Sequence, residues 1–508
     1  MQVNKKRIVV NTFFLYGKTL ITMIISFIST RLILEGLGVE DFGIYGTVGG
    51  AIVMLESLNG AMAQATQRYM NYAEGKGEKD HLVSIFNNTM LLHIIIGVLI
   101  VLTMAAIYYP LFNGIFNIPS DRIEASIYIY VFLAVSTFFT IVSVPYDAVI
   151  TAHEDFLYYS IVNIIVAFLK LAAAFAVIYY LHDRLILYGF IMAAIAIVNM
   201  MIMLIYCHKK YGECCFAFKK NVDKTLIREI GTFAGWNFVG SFAGMAGNHG
   251  STILMNHFFG PILITAKNIG DQICTQVAVL TTNMTKALNP VIVKSEGGGD
   301  RQGMIRLSYY SCRFSYLLYL LLAIPFLLNT ESLLALWLKR VPDWAVLFCQ
   351  LQVLRTLFEQ ISNPLRMSLM AQGSIKYINI IDFVLSIVTF FLLWFLYDIG
   401  YSAQWHYYIS IFLMVFVAGA VRVYLCYYYC KMNINDYFYT VIAPSIFVTI
   451  VSSLVASVLQ NLILSWHVVI IASVEVLLLM IVEFLFGLNK NERKMIVSKV
   501  QSFISKKM

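Results

Sequence analysis

Lys18, Arg31, Arg68, Lys170, Lys267, Lys286, Arg313, Arg355, Arg366 and Arg422 all stand inside long apolar runs of the sequence. A cation at the centre of a lipid-facing helix costs roughly 2.5–3.5 kcal/mol on insertion scales, so each needs water, a partner or a nearby interface. Arg31, Arg68, Lys286, Arg366 and Arg422 lie close enough to the ends of their runs to reach headgroups along their own stems. Lys18, Lys170, Lys267, Arg313 and Arg355 lie deeper and need partners or water. The embedded acids are fewer: Glu56, Asp147, Asp271, Glu359, Asp382, Glu475 and Glu483. Asp271 follows Lys267 by one helical turn and Glu359 follows Arg355 likewise, so two cations have a local partner, in the weaker base-first order. Two chemistries are open here: structural ion pairing, or an excess of positive charge offered to an anionic passenger in a water-filled cavity. Glu56, Asp271 and Glu359 are likewise open as pairing partners or as carriers of H⁺ or Na⁺. No cofactor and no metal are expected, because neither C-x-x-C nor H-E-x-x-H occurs.

The elements that position these groups follow from composition. Hydrophobic residues make up 60% of the 508-residue chain and charged residues 13%, against about 25% charged in an ordinary globular domain. Roughly fourteen apolar segments are long enough to cross ~30 Å of hydrocarbon. They lie near 8–34, 42–70, 84–108, 122–151, 157–181, 185–207, 230–258, 262–290, 305–328, 344–372, 378–397, 404–430, 438–462 and 467–487. The apolar run after MQVNKKR exceeds a signal-peptide core and reads as a retained span. Lys and Arg concentrate in alternate loops, above all HKKYGECCFAFKKNVDKTLIR and NKNERKMIVSKVQSFISKKM, which places both termini in the cytoplasm. That topology accounts for the net charge of +8 without nucleic acid. Most of the eight cysteines lie in or beside apolar runs, where cysteine acts as a small hydrophobe.

VKSEGGGDRQGM, Val293 to Met304, interrupts this pattern with three consecutive glycines. It is not a phosphate-binding loop, since G-x-x-x-x-G-K-[ST] is absent and no strand precedes it. It has a twin in NYAEGKGEKDHL, Asn71 to Leu82: one constant shift lays Glu74, Gly75 and Gly77 on Glu296, Gly297 and Gly299, and Gly38 on Gly260. A nearly equal shift sets Pro145, Ala152 and Tyr158 on Pro364, Ala371 and Tyr377. These correspondences indicate duplicated six-span bundles entering the membrane from the same side, related by an axis along its normal. The Gly-rich segment is then the turn between the second and third spans of the second bundle.

NTFFLYGKTLITMIISFISTRLILEGLGVEDFGIYG near the N-terminus, with GLGVEDFGIY from Gly36 to Tyr45, and GTFAGWNFVGSF…FFGPILITAKNIGDQI in the second bundle resemble the polysaccharide and O-antigen export branch of the multidrug/oligosaccharidyl-lipid/polysaccharide (MOP) flippase superfamily. The resemblance spans the chain. It implies an all-α polytopic membrane protein with a MATE-like arrangement: lobes at 1–207 and 230–430, a basic inter-lobe loop at 208–229, an accessory helix pair at 431–487 and a basic cytoplasmic tail at 488–508. It implies a non-enzymatic flippase in the bacterial inner membrane, moving polyprenyl (undecaprenyl) diphosphate-linked oligosaccharide by alternating access, beside glycan polymerase and chain-length machinery. Spans one, two, seven and eight line the cavity in that superfamily. On these spans stand Lys18, Glu56, Asn237, Asn248, His249, Lys267 and Asp271. Lys18, Lys267 and Arg355 are the candidates for the diphosphate, and Asn237, Asn248 and His249 for sugar hydroxyls. His249 alone also reads as a hydrogen-bonded packing residue. A drug exporter of the same fold would need an acidic cavity and a carboxylate where Lys18 stands. A glycan polymerase or ligase would need catalytic groups on a larger outer loop than the sequence provides.

Overall fold

The computed structural model describes the backbone of residues 5–76, 79–153, 155–216, 223–462, 467–489 and 492–494. Side chains are described within these ranges except at 5–16, 54–58, 61, 64, 68, 71–72, 74–76, 79–80, 233–234, 236–244, 246, 248, 286–287, 290, 294 and 375. Among the described residues all regular structure is helical, and ten helices are long and apolar enough to cross a membrane. The protein is a multi-pass membrane protein. The segments expected near 230–258, 262–290 and 344–372 lie on the helices Lys224–Phe259, Pro261–Gly297, and Ala345–Ser362 with Leu365–Ala371. Those near 8–34 and 42–70 share one bent helix, Lys5–Lys76. Helices are the expected solution, because in hydrocarbon every backbone N–H and C=O must be satisfied within its own segment.

The chain forms two compact units, one of Met1–Thr265 with Phe390–Ala403 and the other of Ala266–Thr389 with Gln404–Met508. In the first unit Lys5–Lys76 bends at Gly38 (φ 83°, ψ 172°). Lys224–Phe259 ends at Gly260 in nearly the same conformation (φ 79°, ψ −178°). Only glycine occupies that region without strain, so the two glycines paired by the sequence repeat perform the same backbone operation. Arg122 closes one end of this unit: its Nε and Nη2 donate to Asp41 at 2.8 and 2.5 Å, and its Nη1 to Asp183 Oδ2 at 2.8 Å. Asp183 also caps Arg184–Lys210 by accepting from the N–H groups of Leu185 and Ile186. Burial opposes its ionisation, but Arg122 and these two amides outweigh it and hold the carboxyl below its usual range. At the opposite end Asp155 accepts from Lys210 Nζ and Tyr206 OH, both at 2.5 Å, and from Tyr211 OH at 3.0 Å. Here too burial is outweighed and the carboxyl is held below its usual range.

In the second unit the Gly-rich segment is a tight turn. Pro261–Gly297 ends there, Gly299 takes φ 82°, and Asp300 caps Arg301–Leu328 by accepting from Gly303 N at 2.8 Å. A Cβ on Gly303 would stand 2.1 Å from Asp300 Oδ2, so the cap itself excludes a side chain there. In the twin segment, residues 77–78 lie outside the described residues. The last two crossing helices, Ile434–Leu462 and Val468–Gly487, are tied to Arg301–Leu328 by polar contacts. Tyr316 OH lies 2.8 Å from Thr449 Oγ1, and Asn329 at its C-cap donates to the fully buried Glu475 at 2.9 Å. Arg313, buried within Arg301–Leu328, pairs with buried Glu492. Glu492 and Asn489 form a reciprocal capping box, each side chain accepting from the other's N–H at 2.8 and 2.9 Å.

Internal geometry repeats between the units. Cys207 Sγ donates to the Tyr146 carbonyl at 3.9 Å, and Cys426 Sγ, its counterpart under the second sequence shift, donates to the Leu365 carbonyl at 3.8 Å. Tyr158 stacks on Tyr206 in the first unit and Tyr377 on Tyr429 in the second. The added methyl in Gly38→Ala or Gly260→Ala meets nothing closer than Asn117 Nδ2 at 4.0 Å, beside Gly260, so the penalty in each is backbone strain alone. Each variant is expected to lose ~1–3 kcal/mol, read as a lower melting temperature in detergent, while Gly231→Ala in a helix interior stays neutral or gains.

Candidate functional site

A buried polar cluster in the second unit gathers most of the embedded charge. Lys267 and Asp271 stand one turn apart on Pro261–Gly297, and Lys267 Nζ donates to Asp271 Oδ2 at 2.6 Å. Gln352 Nε2, from Ala345–Ser362, donates to the other carboxylate oxygen at 2.9 Å. The two helices meet closely: a Cβ at Gly270 would be 3.5 Å from the Cys349 backbone. Arg355, one turn after Gln352, and His406, on the crossing helix Trp405–Cys430, complete the cluster; His406 is 3% exposed and within electrostatic reach of Lys267 and Arg355. Arg355 Nε, His406 Nδ1 and Gln352 Oε1 are buried without a hydrogen-bond partner among the described residues. Lys267 is thus paired with Asp271 while Arg355 has no ion pair among the described residues, so the surplus within this cluster is cationic. A buried donor lacking a partner is a strong site for an oxygen-rich anion.

Arg355 and Glu359 have the same spacing as Lys267 and Asp271, yet among the described residues no ion pair joins them. Glu359 instead lines a polar cavity of about 440 Å³ with Thr281, Thr282, Thr285, Asn289, Thr356, Gln360, Asn363 and Arg366. Arg366 and Arg422, whose positions allow a reach to the headgroups, are held by a carboxylate instead. Arg366 pairs with Asp382 and donates to Asn379 at 3.1 Å, and Arg422 lies 3.5 Å from the second Asp382 oxygen and 3.3 Å from Ser362 Oγ.

In the first unit Lys18 Nζ sits 4.7 Å from the centre of the Tyr159 ring and within electrostatic reach of Asp147, whose Oδ1 is buried without a partner among the described residues. A cation over an aromatic face gains ~1–2 kcal/mol when desolvated. His249 Nδ1 approaches Gly50 closely enough that a Cβ there would lie 3.6 Å away, which packs His249 against the first helix. Lys170 is exposed on Phe156–Tyr179. The side chains of Glu56, Asn237 and Asn248 lie outside the described residues. The structure therefore brings Lys267, Asp271 and Arg355 into one cluster, with Lys18 and His249 in the other unit. Gln352 and His406 had no sequence signal beyond polarity in an apolar run, and Asp147 had none linking it to Lys18.

The sequence pattern of the family described as polysaccharide biosynthesis protein matches residues 8–296. No curated protein matches the sequence. Among solved structures, the fold is similar to an inward-facing multidrug resistance MATE family transporter of the MOP superfamily (TM-score 0.67, 12% identity, covering 80% of this chain and 94% of that one). It is also similar to the lipid II flippase MurJ in an inward closed conformation (TM-score 0.65, 12% identity, 93% and 98% covered). A third similar structure is a Vibrio cholerae MATE transporter (TM-score 0.55, 16% identity, 85% and 100% covered). These likenesses show a fold shared with MATE transporters and MurJ.

The cluster makes an asymmetric prediction, because Lys267 is 2% exposed whereas Asp271 is 29% exposed and keeps Gln352 as a donor. Asp271→Ala strands a buried ammonium and is expected to cost ~3–5 kcal/mol, seen as lost abundance and a lower melting temperature. Lys267→Ala is expected to cost clearly less, and the double variant Lys267→Ala/Asp271→Ala to recover most of the Asp271→Ala loss. Equal losses in the two single variants would contradict this geometry.

Proposed function

The chain belongs to the polysaccharide biosynthesis protein family, and from that premise we propose that it is a flippase moving polyprenyl diphosphate-linked oligosaccharide repeat units across the bacterial inner membrane. The observation that carries this reading is a cationic surplus in the buried cluster, where Lys267 pairs with Asp271 and Arg355 Nε is buried without a hydrogen-bond partner among the described residues. A diphosphate crossing hydrocarbon must exchange its hydration for donors, and buried Lys and Arg supply them with charge. Lys18, held over the Tyr159 ring in the first unit, is a third cation, whose association with an anion breaks no tight carboxylate contact among the described residues. The apolar tail needs no such site and can remain in lipid.

In this reading the lobes comprise residues 1–207 and 230–430, both termini are cytoplasmic, and the helix pair at 431–487 is accessory to the transport cycle. A lipid II flippase among its fold neighbours supports the lipid-linked passenger. The neighbouring multidrug transporters keep a drug-export reading in play as the contrasting outcome.

In proteoliposomes carrying undecaprenyl diphosphate-linked oligosaccharide, the protein is expected to move the glycan to the lectin-accessible face. Lys18→Ala and Arg355→Ala should each slow this about tenfold, equivalent to ~1.4 kcal/mol, with folded protein nearly unchanged. Lys18→Arg should retain partial transport, because attraction to phosphate needs charge more than one fixed geometry. Normal transport by both alanine variants would remove the diphosphate site from these residues. Efflux of an organic cation without glycan transport would favour drug export.

A further inference from the structure

We propose that the polar cavity around Glu359 is a sugar subsite that accepts a non-acidic residue of the glycan, rich in hydroxyl or amino donors, with Glu359 as the specificity-determining residue. This rests on the flippase reading and adds to it a selectivity that the cationic cluster does not provide. The hydrogen bonds already made by the lining decide what is left for a ligand. Thr281 Oγ1 donates to the Ala278 carbonyl at 3.0 Å, Thr285 Oγ1 to the Thr282 carbonyl at 3.0 Å, and Thr356 Oγ1 to the Gln352 carbonyl at 2.9 Å. A hydroxyl has one proton and two lone pairs, so these threonines offer the cavity acceptors. Gln360 Nε2 donates to the Thr356 carbonyl at 3.2 Å, which occupies part of its donor capacity as well.

The charges point the same way. Arg366 lines the cavity, but its charge is paired with Asp382, and its Nη2 also donates to Asn379. Glu359 has no ion pair among the described residues and is left as the carboxylate facing the space. Thr282, Asn289 and Asn363 complete the lining with groups that can donate or accept, so its fixed features are the threonine acceptors and the Glu359 carboxylate; these complement sugar O–H and N–H groups, and the carboxylate repels a uronic acid or a phosphate. At about 440 Å³ the space is of small-molecule size, far larger than a dehydrated cation needs. The diphosphate and the sugar therefore have chemically opposite sites within the second unit: donors at Lys267 and Arg355, acceptors around Glu359.

The test is ligand-observed NMR on the full-length protein in nanodiscs with three soluble probes: cellotetraose (neutral), a glucosamine tetramer (amine-bearing) and tetragalacturonate (acidic). The neutral and amine-bearing tetramers should bind, and tetragalacturonate at least tenfold more weakly. Glu359→Gln should shrink that discrimination to within threefold, and Thr285→Val, which removes an acceptor without touching a charge, should weaken cellotetraose while preserving the order of the probes. Equal binding of the three probes by the unsubstituted protein would overturn the proposal. So would undiminished discrimination in folded Glu359→Gln, or displacement of cellotetraose by Na⁺ or inorganic pyrophosphate alone. Undecaprenyl diphosphate binding, measured in parallel, separates the two readings: if the tetramers discriminate as expected and that lipid does not bind, the subsite stands and the flippase reading falls.

Discussion

A charge inside hydrocarbon must find an opposite charge, a set of hydrogen-bond donors or acceptors, or water, and the internal order of both units follows from how each embedded ion meets that demand. Arg313 meets Glu492, Arg366 and Arg422 share Asp382, and Lys267 meets Asp271. Lys18 meets an aromatic face and a more distant carboxylate. Among the described ions left without an ion pair are Arg355, in the Lys267 cluster, and Glu359, at the polar cavity. Arg313–Glu492 and the pairs made by Asp382 tie separate helices together, and in the proposed function the unpaired Arg355 and Glu359 meet the passenger.

The helical class was legible because a chain this apolar has few other ways to satisfy its backbone. The Lys267–Asp271 pair was legible from spacing on one helix. Arg355–Glu359 has identical spacing and does not pair, because one turn of separation makes two side chains neighbours without deciding which way each packs. Glu359 faces the threonine-lined cavity, an environment made by Pro261–Gly297, a helix distant from it in sequence. For the same reason position alone misdirected Arg366 and Arg422. Proximity to a span end permits a reach to the headgroups, but a carboxylate on a neighbouring helix competes with water for the guanidinium, and here it wins.

The repeat was legible at the level of single residues. Gly38 and Gly260 repeat a backbone angle, and Cys207 and Cys426 repeat a thiol-to-carbonyl contact. Such features survive duplication because each is set by local geometry. A left-handed backbone admits glycine and little else, and a small weak donor suits a close helix approach. Outside the Gly-rich turn, where Glu74 falls on Glu296, the candidate site residue Lys267 does not repeat in this way. The shift that lays Gly38 on Gly260 lays Tyr45 on Lys267, so the electrostatic character of each unit is its own.

The buried pair of Arg313 and Glu492 also sets an order of events during synthesis. The two residues are 179 positions apart, and the capping box that orients Glu492 forms only after the last crossing helix has been made. When Arg301–Leu328 is made, the carboxylate that Arg313 meets in the folded chain does not yet exist. The ion pair that belongs to this helix's final packing is therefore complete only once the segment after Val468–Gly487 lies beside it. The packing of this segment is in effect provisional, completed by residues that the ribosome has yet to add.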